Sequence, residues 1–203
     1  MLDLSKQPIP MRFQHLLDTM KSERFLKMEG LNNEIPFFIF PYSPEEHHEI
    51  ESMCHQLINR LASEGISVLN INLYDLSIEM LQERGIWEQI LEEERHFTKA
   101  ELMEDLQGAL NPERHMIPAI AEKMEQQHLD ILFLTGVGAV FPFIRSHTIL
   151  NNLQSTAKSC PTVMWFPGKY TFTVEGGSSL DLFGLLHDDK YYRAFNILEY
   201  QLG

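Results

Sequence analysis

Three short segments are apolar almost without interruption: Pro36-Phe37-Phe38-Ile39-Phe40, Asp130-Ile131-Leu132-Phe133-Leu134-Thr135 and Thr162-Val163-Met164-Trp165-Phe166. A strand that alternates apolar with polar residues has one wet face. A strand with no such alternation is covered on both faces, which is the situation inside a parallel sheet flanked by helices. A chain carrying several of these runs needs a layer of helix on each side of one sheet.

The segments between the runs supply those helices. After the first run, Ser43 fits an N-cap, Pro44 the first helical position and Glu46 the reciprocal acid of a capping box. Ile50, Met53, Cys54, Leu57, Ile58 and Leu61 then form one apolar stripe, and Gly65 closes the helix. Ser67 to Leu73 reads as the next strand, so strand, crossover helix and strand make a parallel βαβ unit. Phe13, Leu16, Leu17, Met20 and Leu26 lie at near-helical spacing and make residues 1–30 an N-terminal helical segment. Residues 75–128 are helical and acidic, with Glu92-Glu93-Glu94, a capping box at Thr98 and Glu101, and a helix opened by Asn111-Pro112. They are too long for a simple crossover and read as a helical insertion. The whole pattern predicts a three-layer α/β sandwich with a mostly parallel sheet, Rossmann-like or degenerate P-loop-like, formed by residues 1–203 as a single domain. The third run ends at Pro167-Gly168, and Glu175 to Ser179 reads as a flexible loop.

Composition narrows the function. The net charge of −13 repels a phosphate backbone, so direct tight nucleic-acid binding is not expected. No apolar run approaches the roughly 20 residues of a membrane helix, and the N-terminus has no secretory pattern; a soluble cytoplasmic protein is expected. Cys54 and Cys160 lie far apart, outside any CxxC motif, and indicate neither a disulfide framework nor a zinc ribbon.

Ligands of open α/β sheets sit beyond the carboxyl ends of the strands. The loop Pro41 to Glu46 stands where a P-loop would, but it has no glycine and no Gly-Lys-Ser/Thr ending, and Glu45 and Glu46 repel phosphate. Thr135-Gly136-Val137-Gly138 starts like a dinucleotide fingerprint. Phe141 then occupies the third glycine position, so the glycines read as turn geometry. Arg145 suits a carboxylate or phosphate. His147, two residues on, points elsewhere on a helix. His47, Glu51 and His55 share a helix face as metal ligands do, yet a solvated helix edge explains them equally well. Asp188-Asp189 reads as a turn with caps. There is no GxSxG elbow and no cysteine nucleophile motif, so no enzyme activity and no cofactor is predicted.

Gly30 to Phe37, Leu134 to Gln154, Phe166 to Tyr170, Leu182-Phe183-Gly184 and Asp188 to Phe195 occur in that order. Together they resemble the BrxB family of BREX (bacteriophage exclusion) defence systems, over nearly the whole chain. The block from Leu134 to Gln154 is the most specific part. The resemblance implies a non-enzymatic adaptor or assembly component of an antiphage system. Its partners are then other BREX proteins, first among them the phosphatase-like PglZ protein. The expected partner or ligand surface is Thr135, Gly136, Gly138, Arg145, His147, Asn151 and Asn152. Asn33, Glu34, Lys169, Asp188, Asp189, Tyr191 and Arg193 are secondary candidates. The alternative reading is a degenerate nucleotide-binding regulatory domain, with Gly136, Gly138 and Arg145 on a phosphate.

Overall fold

The computed structural model describes residues 3–29, 36–153, 156–173, 177–189 and 194–201, with only the backbone described at 172, 173, 177, 178 and 187–189. Asn33, Glu34, Tyr191 and Arg193 lie outside the described residues. Five strands run parallel: β1 (Phe37–Tyr42), β2 (Val68–Asn72), β3 (Ile131–Thr135), β4 (Thr162–Thr173) and β7 (Phe195–Asn196). Their spatial order is β2-β3-β4-β1-β7. Helices α1 (Ile9–Lys21), α2 (Glu23–Leu26) and α3 (His47–Ser63) precede β2. The stretch from β2 to β3 holds α4 (Leu73–Glu83), α5 (Trp87–Glu93), α6 (Lys99–Ala109) and α7 (Ile117–Glu125), and α8 (Ser146–Leu153) links β3 to β4.

The apolar runs are strands covered on both faces, as a parallel sheet requires. Phe38, Phe40, Phe133, Val163 and Trp165 pack with Leu16, Met20, Met53 and Leu57 of α1 and α3. Phe37, Ile39, Leu132, Leu134, Met164 and Phe166 pack with Leu76, Met80, Ile120 and Leu150 of α4, α7 and α8. Adjacent residues therefore feed opposite layers, and the molecule is a three-layer sandwich with a mostly parallel sheet. Residues 75–128, read from sequence as an acidic helical insertion, carry most of α4 and all of α5 to α7, joined by short turns. The middle helices α5 and α6 bury no residue fully, which suits their charge. The Thr98–Glu101 capping box is formed, and Asn111 accepts from the Arg114 backbone N–H. No described helix is long and apolar enough to cross a membrane.

Four expectations fail locally. Ser43 forms no capping box: the Glu46 backbone N–H goes to the Ser43 carbonyl rather than its hydroxyl, and the Glu46 carboxylate is taken by Arg12 of α1, whose two terminal guanidinium nitrogens donate to its two oxygens at 3.0 and 2.5 Å. The strand at 162 does not stop at Pro167-Gly168; β4 runs on to Thr173 and pairs antiparallel with β5 (Gly177–Leu182), which pairs with β6 (Leu186–Asp189). Gly168 makes the hairpin possible, since a Cβ there would lie 2.1 Å from the Asp181 carbonyl oxygen. Gly177 to Ser179, expected in a flexible loop, are consequently strand, and Asp188-Asp189, expected in a turn, lie on β6.

Candidate functional site

A cleft of about 640 Å³ opens at the carboxyl ends of β1, β2 and β3 and beside Trp165 and Pro167 of β4, between them and α3. Its position follows from the alternation in β2. Leu69 and Ile71 pack into the layer of α4, α7 and α8, so Asn70 and Asn72 face the side of α3. There they sit beside Phe133 and Thr135 in register. α3 covers this face over Phe133 and Trp165 and leaves its upper end open.

The polar groups are interlocked. The Thr135 hydroxyl donates to Asn70 Oδ1 at 3.1 Å. Asn72 Oδ1 accepts from the Tyr74 and Asp75 backbone N–H groups at 2.9 and 3.4 Å, capping α4. Gly136 has φ +70°, and a Cβ on it would meet Asn72 Oδ1 at 2.0 Å. This position needs glycine twice over, for its left-handed backbone and for the close approach. Gly138 admits the Phe183 ring and Pro167 against its backbone, so the turn between β5 and β6 closes one end of the cleft. On the α3 side, the Tyr42 hydroxyl and His47 Nδ1 share a hydrogen bond of 3.1 Å. Burial raises the Tyr42 hydroxyl well above its usual range, with Cys54 and Glu51 adding to the shift. Burial likewise pushes the Cys54 thiol up to about 12, helped by Glu51. In the layer opposite, burial pushes Cys160 up to about 11.

These thiols have a testable consequence. Both start from an ordinary value of 9.0. The folded chain keeps protons that the unfolded chain releases above that value. Their contribution to stability is therefore fully present below pH 9.0 and lost as pH rises through about 11 and about 12. Near neutral pH neither thiol reacts readily, because the thiolate is the nucleophile. Labelling with a thiol reagent should be slow in buffer and complete in denaturant. Fast labelling of either cysteine in the folded protein would contradict the buried, protonated state.

The residues expected to form one polar surface are dispersed. Thr135, Gly136 and Gly138 line the cleft, but Arg145 lines a separate groove of about 300 Å³ with Phe141, Ser146, Leu180, Leu182, Leu185 and Leu186. The proposed phosphate grip of Gly136, Gly138 and Arg145 is thus not assembled in one pocket. His147 is buried and so cannot join an exposed polar surface. Asn151 is exposed, while Asn152 donates to the Thr148 carbonyl of its own helix. Lys169 is exposed on β4, opposite Asp181. His47, Glu51 and His55 all line the cleft, yet among the described residues no group of three His, Cys, Asp or Glu is placed to hold a metal ion. Sequence reasoning passed over Asn70, Asn72, Tyr42 and Trp165. The two asparagines were detectable as the polar half of an alternating strand.

Beside the Arg145 groove, the turn between β5 and β6 holds up a cluster of apolar side chains. Leu185 is 85% exposed, Leu186 41% and Phe183 39%. Arg145 is itself exposed, and no described residue pairs with it.

Comparison with known proteins gives a consistent picture. The family model described as "BREX protein BrxB" matches residues 69–197. The chain is 34% identical over 192 residues to "BREX protein BrxB" of Bacillus cereus (strain H3081.97), covering 93% of this chain and 96% of that protein. It is 29% identical over 187 residues to "BREX protein BrxB" of Escherichia coli O9:H4 (strain HS), covering 92% and 90% respectively. No solved structure matches.

Proposed function

The chain belongs to the BrxB family of BREX proteins, and from that premise we propose that it is a non-enzymatic adaptor of an antiphage defence system, holding other components of the system together. The first partner to test is the phosphatase-like PglZ protein. The observation that supports this reading is the exposed apolar turn of Phe183, Leu185 and Leu186 beside Arg145, an exposed cation with no partner among the described residues. Contiguous exposed apolar side chains on a soluble surface mark interaction sites. A cation next to them selects an acidic residue of the partner, in a protein whose net charge is −13.

Tagged protein co-expressed with the other components should retain at least one of them through washing. Arg145→Ala leaves the partner's carboxylate unpaired and is expected to cost about 2–5 kcal/mol of binding. Because Arg145 is exposed, the folded chain should lose no more than about 0.5 kcal/mol. Retention is then lost while the melting temperature barely moves. If the wild-type protein always elutes alone, and deleting its gene leaves phage resistance intact, the adaptor reading fails.

A further inference from the structure

We infer that the cleft at the strand ends binds an uncharged nucleoside, with its base inward against Trp165 and its sugar at the rim. The argument starts from an unsatisfied donor. Trp165 is 2% exposed and lines the cleft, and its indole N–H has no acceptor among the described residues. A buried N–H without a partner costs on the order of 1–3 kcal/mol, so a site that keeps one is built for an acceptor brought from outside. Further donors stand at the same wall. Asn70 and Asn72 spend their carbonyl oxygens on Thr135 and on the start of α4, which leaves the amide N–H groups of both for a ligand.

The lining then selects among acceptor-bearing molecules. The titratable groups on the cleft wall include Glu51 and Asp75 but no lysine or arginine. A phosphate or carboxylate meets two acids and no permanent cation there, only the imidazoles of His47 and His55, and Arg145 is not there to receive it. A simple amine brings donors only and leaves Trp165 unsatisfied. The surroundings of Trp165 are apolar, with Ile50 and Cys54 both buried beside the cleft. A sugar placed there would lose the hydration of its hydroxyls, whereas a heteroaromatic ring brings a flat apolar body with acceptor nitrogens on its edge. Glu51 and Asp75 are exposed, as acceptors for ribose hydroxyls at a rim should be. The volume, about 640 Å³, lies in the range of small-ligand sites. This inference does not rest on the adaptor reading, because its argument uses Trp165, Asn70 and Asn72, although Phe183 belongs both to the exposed apolar turn and to the cleft wall.

The test is calorimetry and melting of the full chain with adenosine, guanosine, cytidine and uridine, each at up to millimolar concentration, with ATP and ribose as comparison arms. At least one nucleoside should bind, raise the melting temperature and quench tryptophan emission. ATP should bind no more tightly than adenosine, and ribose alone should not bind. Trp165→Phe keeps an aromatic ring in place and removes the N–H; Asn70→Ala removes a half-buried amide. Each should weaken the nucleoside about tenfold, the equivalent of one hydrogen bond. The inference is overturned if none of the four nucleosides binds, if ATP binds tenfold more tightly than its nucleoside, or if both variants bind unchanged.

Discussion

Glu46→Ala is expected to lower the unfolding free energy by about 3 kcal/mol, at the lower end of what breaking a buried ion pair costs. The reason lies in its partner. The Arg12 side chain is only 2% exposed, and its charge is held by the two oxygens of Glu46. Its Nε has no acceptor among the described residues, so the carboxylate is the group that compensates the guanidinium there. Removing it strands a full positive charge between α1 and α3. Glu46 is 34% exposed, which lets water reach the vacated side and keeps the loss toward the lower bound. Arg12→Met together with Glu46→Leu should recover most of the stability, because the double change removes the charge with its partner. Denaturant midpoints with unchanged slopes measure both. A loss below about 1 kcal/mol for Glu46→Ala would class the pair with exposed ion pairs and refute this account.

The same pair marks a limit of reading the chain locally. Ser43, Pro44 and Glu46 carry a capping signature, and that signature is overridden by an arginine 34 residues earlier in sequence. Thr98 and Glu101 carry the same signature on an exposed helix, where no distant group competes, and there the box forms. Apolar runs were legible because burial on both faces leaves a mark in every residue of the strand. Strand order was not, since β2 reaches its place beside β3 rather than β1 through contacts that no local pattern encodes. The hairpin after Gly168 was hidden for a related reason. Pro167-Gly168 ordinarily ends a strand, but here the glycine is the point where Asp181 comes close enough to start a second sheet. In the cleft, Thr135, Gly136 and Gly138 were found by their place after a strand. Asn70, Asn72 and Trp165 became legible only when the sheet showed which face each one shares.

Gly136→Ala should have an effect of comparable size, and the cause can be separated by a second substitution. At φ +70° an alanine is strained by on the order of 1–3 kcal/mol. Its Cβ, placed 2.0 Å from Asn72 Oδ1, also expels the asparagine from its position over the start of α4. Loss of that cap contributes about 1 kcal/mol more, so the total expected is about 3 kcal/mol. Asn72→Ala alone should cost only the cap, about 1 kcal/mol. In the double variant the collision partner is already gone, so only the cap and the backbone strain remain. The double variant should therefore be less destabilised than the sum of the singles, with a coupling of about 1 kcal/mol. Strict additivity in denaturant unfolding would show that Gly136 and Asn72 do not meet, and the floor of the cleft described above would be wrong. If the coupling is found, Gly136 is retained for the shape of that floor, where its missing side chain leaves room for the asparagine that both caps α4 and faces the cleft.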